Sequence, residues 1–383
     1  MENEEKKAAE KKPLTQKQKK QIAVFVTVLV VAALLIWLFL VGGGRNLDRV
    51  LRFTRFGGQS ITIAYEPGSV ALGESFGTGL ATMNNTSLTI YDVNGSTTST
   101  VAVKLSDPVL QAAESHLLAY DAGGTTLKLV NAKGETVLET EADGAIFDAD
   151  VTPKGEVGLI SAGSSAKTIL KVYNKNQTEI YTVRSVTRYY SRCALRPGAG
   201  QVAVVALGQN ESVFTTTLLL YDTGKEGVQA EVDLGNQLIF DVEYLSKNLI
   251  CAIGEESLIF VNNKGSVQGT YEYDGDLVAM DYSSKGFAAL VMRSAQGGGG
   301  WNLVTVNSKG KELGRVALAQ EVTDLSVTGK YVAVLTPSAL TLYSQKLDNW
   351  GEYVYVSGYS SVSVNADGSA FLIGNEESRR FVP

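Results

Sequence analysis

One strand pattern recurs seven times along the chain and restricts the fold more than any other feature. It is an apolar–x–apolar run closed by a turn rich in Asn, Asp, Gly or Lys. It reads LTIYDVNG at Leu88, LKLVNAKG at Leu127, LKVYNKNQ at Leu170 and LLLYDTGK at Leu218, then LIFVNNKG at Leu258, LVTVNSKG at Leu303 and LTLYSQKL at Leu340. Successive starts lie 39, 43, 48, 40, 45 and 37 residues apart. A period of about 40–45 residues that holds several short strands is the spacing of propeller blades.

A second motif keeps step with the first. An inner strand ending in a tight turn precedes these strands, as in DADVTPKG (148–155), LRPGAG (195–200), AMDYSSKG (279–286) and SVNADG (363–368). Each unit then reads inner strand, turn, second strand, loop, the repeated strand, turn and an outer strand such as ETVLETE (135–141). Seven such units are followed by residues 359–383, which have room for three strands, while SITIAY (60–65) stands ahead of the first blade with no blade of its own. Pairing that early strand with the last three would close the ring and remove its open edges. The expectation is an all-β propeller of eight four-stranded blades closed by the N-terminal strand, with seven blades as the alternative.

Ahead of the propeller lies Ile22 to Val41, about 20 residues without a charge and with one hydroxyl. As a helix rising about 1.5 Å per residue it would span the roughly 30 Å hydrocarbon core. It exceeds the h-region of a cleaved signal peptide and reads as an uncleaved signal anchor. Lys6, Lys7, Lys11, Lys12, Lys17, Lys19 and Lys20 precede it, and Arg45, Arg49, Arg52 and Arg55 follow it. The lysine bias expects a cytoplasmic N-terminus and an extracytoplasmic body. The expected divisions are a basic tail (1–21), a transmembrane helix (22–41), a juxtamembrane linker (42–59) and the propeller (60–383).

The repeated strand and its Pro-Lys-Gly and Ala-Asp-Gly turns resemble those of WD-repeat-like and quinoprotein-like propellers. With the N-terminal anchor, the chain resembles an uncharacterised family of single-pass, membrane-anchored propeller proteins of Gram-positive bacteria. The resemblance implies an architecture and an address. Its motifs are turn and strand signals, and neither a Gly-His nor a Trp-Asp pair occurs in the chain.

Few residues suggest catalysis. Gly73-Glu74-Ser75-Phe76-Gly77 matches the G-x-S-x-G elbow, which requires a strand-to-helix turn and a histidine base, yet it lies between strands and His116 is the single histidine. Ser164-Ser165-Ala166-Lys167 falls in an inter-strand loop, and Asp274-Gly275-Asp276 lacks the ligand number of a calcium loop. Two cysteines, Cys193 and Cys251, sit in apolar strands and are expected as buried free thiols. Neither catalytic residues nor a metal or cofactor site is expected. The inner strands carry Asp148 and Asp150, Asp241 and Glu243, Asp281 and Asp324, and residues i and i+2 share a strand face. They are expected either at an acidic channel mouth or as acceptors for neighbouring backbone N–H groups. Trp301, after the glycine run 297–300, is a candidate partner contact.

A net charge of −6 without a basic stripe beyond the anchor flanks argues against nucleic acid. The expected function is a non-enzymatic protein-interaction platform in a cell-envelope complex. The alternative is a ligand- or cofactor-binding propeller, possibly enzymatic, that uses the acidic mouth.

Overall fold

The structure is a computed structural model that describes residues 16–41, 61–66, 70, 72–210, 213–294 and 300–382. The first lysines of the tail, the linker 42–59 with its arginines, and Gly297–Gly299 lie outside the described residues. The chain divides into two compact units, Met1–Gly58 and Gln59–Pro383. In the first, one helix, α1, runs over Gln16–Val41. Among the described residues no helix is long and apolar enough to cross a membrane. Side chains 17–19, 21, 35 and 37–41 lie outside that set, so the expectation for 22–41 rests on the sequence.

The second unit consists of eight four-stranded antiparallel sheets. Seven blades take four consecutive strands each and span residues 72–102, 108–141, 146–185, 189–233, 239–272, 275–318 and 324–353. Blade 8 takes three strands from 359–381 and its fourth from Thr62–Ala64, which pairs with Glu377–Arg379. The eight-blade expectation and its closing strand therefore hold, and seven blades do not.

The repeated strand is the third of its blade, and the polar residue that ends it builds the next turn. The Oδ1 of Asn131 accepts the backbone N–H groups of Lys133 and Glu135 at 2.9 and 3.0 Å. Asn262 does the same for Lys264 and Ser266, and Asn307 for Lys309 and Lys311. One side chain thus replaces two backbone partners that the strands cannot supply. The glycine that follows reaches a left-handed conformation, φ 78° at Gly134 and 83° at Gly265.

The core lies between blades. Second strands such as Leu249–Gly254 and Phe287–Ser294 are buried on both faces along most of their length, while outer strands alternate half-buried and exposed. The described residues form eight apolar clusters, each joining two neighbouring blades. The cluster of Ile63, Val70, Leu80, Phe371 and Ile373 joins blade 8 to blade 1 and completes the ring. A single blade could not bury both of its faces, so the repeat has meaning only as a closed set.

Candidate functional site

The innermost strands all run in one direction, so their starts gather on one face around the central channel. Near the start, five of them carry a β-bulge at the same place. The extra residue is Phe147 in blade 3, Ser191 in blade 4, Phe240 in blade 5, Val278 in blade 6 and Ser360 in blade 8. A bulge turns one side chain away from the regular alternation. Phe147, Phe240 and Val278 are 40, 38 and 43 % exposed there.

Beyond the bulge, alternate residues descend into the channel. The first position holds Asp148, Arg192, Asp241 and Ser361 in blades 3, 4, 5 and 8. Two residues on stand Asp150, Glu243, Asp281 and Ser363 in blades 3, 5, 6 and 8. The carboxylates tie blade 3 to blade 4, blade 6 to blade 7 and blade 7 to blade 8. Asp148 Oδ2 accepts the backbone N–H of Cys193 at 2.7 Å, and Asp150 Oδ2 that of Leu195 at 2.5 Å. Asp281 Oδ2 accepts from Val327 at 2.6 Å, and Asp324 Oδ2 from Val362 at 2.7 Å. Ser326 and Ser363 do the same with hydroxyl oxygens, for Val364 and Ser75. Blade 4 reverses the polarity: Arg192 Nε donates to the carbonyl of Phe240, and Arg196 Nε to that of Lys247.

A cavity of about 670 Å³ occupies the channel, lined by Glu74, Asp150, Glu243, Asp281 and Asp324 together with serine hydroxyls. Asp148 and Asp241 do not line it; Asp148 is buried and Asp241 accepts the N–H of Val242. The sequence-predicted carboxylates thus fall into a group on the cavity and a group behind it. Glu74, which the sequence reading did not group with them, joins them through the Oγ of Ser363, which donates to its Oε2 at 3.0 Å.

Burial dominates the electrostatics. It pushes the carboxyl of Asp150 up to about 6, that of Glu74 to about 7, and those of Asp148 and Asp281 to about 8, against the lowering effect of the N–H donors and of Ser363. Asp241, Glu243 and Asp324 are raised for the same reason. Neighbouring carboxylates add to the effect. Of these groups, Asp148 and Asp281 are the ones whose values favour the neutral acid at pH 7.

The other sequence candidates sit within the blades and their turns. Ser75 lies in the strand Leu72–Phe76 and its hydroxyl donates to the carbonyl of Ser363, so no elbow forms there. His116 is half-buried with Nδ1 2.9 Å from the Oγ of Ser115. Lys167 donates to the carbonyl of Thr187, and Asp274 and Asp276 pair with Arg315 and Arg293. Trp301 is half-buried and packs against the cluster between blades 6 and 7. Cys193 and Cys251 are buried free thiols. Among the described residues no group of three or more His, Cys, Asp or Glu side chains is arranged to hold a metal ion.

These features define an eight-bladed propeller of WD40-like architecture with an acidic, self-bonded channel. The fold is similar to the C-terminal WD40 domain of Sif2, with a TM-score of 0.59 and 11% identity over 84% of this chain and 99% of that one. It is also similar to the propeller of Dos1, with a TM-score of 0.56 and 8% identity over 84% and 93%. No curated protein matches the sequence. Residues 58–378 match the family of unknown function DUF5711, and the chain belongs to that family.

Proposed function

We propose that this protein is a membrane-anchored, extracytoplasmic propeller that serves as a non-enzymatic protein-interaction platform in a cell-envelope complex, in keeping with the Gram-positive envelope proteins it resembles. The observation that carries the reading is the use made of the channel carboxylates. Asp148, Asp150, Asp281 and Asp324 each accept a backbone N–H of the next blade. The groups best suited to acid–base chemistry hold the ring together, and a closed ring offers broad loop-lined faces to a partner. Fold alone does not define an activity, so the site must carry the reading.

The anchor is supported by the apolar run 22–41, which lies within the continuous helix Gln16–Val41. Its hydroxyl residue, Thr27, donates to the carbonyl of Ala23 at 2.9 Å, so the side chain needs no outside partner. Orientation follows the lysines ahead of the span. The propeller, from residue 59 onward, has 35 acidic and 23 basic residues, a balance unsuited to nucleic acid.

Crosslinking in intact native cells, followed by purification through a C-terminal tag, tests the reading. The expected result is one specific envelope protein at a stable ratio. The second reading, a ligand-binding channel, is favoured by the 670 Å³ cavity beside Glu74, Asp150, Glu243 and Asp281. It would be supported if the purified protein carried a stoichiometric metal or cofactor that disappears in the Glu74→Gln, Asp150→Asn and Asp281→Asn variants, with no protein captured.

A further inference from the structure

The bulge residues contrast with one another. Ser191 and Ser360 show that the bulged backbone is satisfied by a small polar side chain. Phe147, Phe240 and Val278 put large apolar groups into solvent at that same position, on blades 3, 5 and 6. The loops entering blades 4 and 5 add Val186, Tyr189 and Leu238, all exposed. Val213 and Phe214, at the tip of the long blade 4 hairpin, are exposed toward the same face. The exposed large apolar residues of the propeller thus gather along one side of the channel mouth. The exceptions are Val354 and Tyr355, which enter blade 8 on that face, and Val137, Ile180, Val228 and Val267 on outermost strands. The opposite face is made of Asn-, Asp- and Lys-bearing turns. Large apolar side chains exposed together on one face of an otherwise polar body mark a contact site.

Charge selects the occupant. Three basic side chains along this arc are engaged. Lys167 lies over the Tyr189 ring and bonds Thr187, Arg188 pairs with Glu231, and Arg192 bonds the carbonyls of Ser191 and Phe240. Glu255 and Glu256, in the blade 5 loop of the same face, are exposed, and among the described residues no ion pair holds them. The propeller as a whole carries more acidic than basic residues. An anionic lipid surface is repelled by such a face, whereas a cationic protein segment is drawn to it.

We infer that the collar of Phe147, Phe240 and Val278, with Tyr189 and Leu238, is the docking surface for a partner protein that presents an apolar segment bearing lysine or arginine. This rests on the platform reading above and adds to it the face and the chemistry of the partner. Apolar anchors in a polar surround give affinity, and the flanking carboxylates fix the charge of what enters.

Photo-crosslinking in native cells tests it on the full chain. Four single variants carry p-benzoylphenylalanine in place of Phe147, Phe240, Lys133 or Lys309, the last two lying on turns of the opposite face. The expected adducts form from positions 147 and 240, map to an apolar segment with lysine or arginine in one protein, and fall at least tenfold from position 147 when Glu255→Lys/Glu256→Lys is added. Thermal unfolding of the charge-reversed chain should match that of the parent. Adducts from positions 133 and 309 alone would overturn the collar and leave the platform standing. Adducts with lipid, with a second copy of this chain or with an acidic segment would also overturn it. If no position yields an adduct and tag purification captures nothing, both readings fall together.

Discussion

Cys193 of blade 4 donates its backbone N–H to the Oδ2 of Asp148 in blade 3, at 2.7 Å, beside the apolar cluster that fills the same seam. The relationship repeats around the channel with Asp150 and Leu195, Asp281 and Val327, and Asp324 and Val362. Strands at the hub of a propeller pair on one side only, so their free N–H groups need acceptors from elsewhere. A carboxylate from the previous blade supplies one and sets the angle between blades as it does so. The apolar clusters hold the blades together, and the staples fix their register.

Removing a staple should therefore cost more than changing its charge. Asp148→Asn keeps an oxygen for Cys193 and should change unfolding free energy by less than about 1 kcal/mol, because the group is largely neutral at pH 7 already. Asp148→Ala leaves the buried N–H unmet and should cost roughly 1–3 kcal/mol. Urea unfolding of the two variants separates them. Equal losses would show that packing, and not the hydrogen bond, is what the side chain provides.

The same burial makes stability depend on pH in an unusual direction. A carboxyl whose folded value lies above its unfolded one, about 4, contributes stability that is full below that value and is lost as pH rises through the folded one. Asp150 near 6, Glu74 near 7, and Asp148 and Asp281 near 8 place the loss between about pH 4 and pH 8. The thermal midpoint of the propeller should be higher at pH 5 than at pH 8.5 by at least about 5 °C, a few kcal/mol for a chain of this size. Replacing Glu74 with Gln and Asp148, Asp150 and Asp281 with Asn should flatten that slope.

Much of this was legible in the sequence, for identifiable reasons. The third-strand motif is visible because Asn131, Asn262 and Asn307 each cap a turn that admits few other residues, and the period is visible because every blade must repeat the same burial. The closing strand could be found by counting strands. The bulges could not: an extra residue at Phe147 or Phe240 leaves no mark on an apolar alternation until the register is seen. Glu74 was hidden inside a stretch that resembles a hydrolase elbow, and its equivalence to Asp150 appears only when blades 1 and 3 are placed in one ring. An acceptor role for Asp148 is one of the two readings the sequence offers, but its donor could not be named, since Cys193 lies 45 residues further on.

The closing strand should be essential to the fold. Ile63 is buried in the seam between blades 8 and 1 and faces Ser378 across the pairing. Ile63→Ala should destabilise the propeller by about 2–5 kcal/mol. Deletion of residues 59–66 leaves Glu377–Phe381 as an open edge, which invites association between chains. Light scattering of the deleted chain should show concentration-dependent oligomers, and that of Ile63→Ala should not.

Arg380 ties the closure together from inside blade 8. Its backbone N–H donates to the carbonyl of Ile61, just ahead of the closing strand, at 2.8 Å. Its side chain, 4 % exposed, reaches Asp367 Oδ2 at 3.1 Å and Ser369 Oγ at 3.2 Å. A buried pair adds little net stability over apolar replacement, but removing one partner leaves a desolvated charge. Asp367→Ala should therefore cost about 3–5 kcal/mol, more than the surface pair Arg293–Asp276, whose removal should cost less than about 1 kcal/mol. Adding Arg380→Met to Asp367→Ala should recover most of the loss, because the charge that had no partner is gone. Thermal unfolding of the single and double variants gives the coupling directly. A double variant no more stable than Asp367→Ala would mean that the turn at Asp367, which also accepts from Ser369 at 2.8 Å, and not the ion pair, is what blade 8 needs.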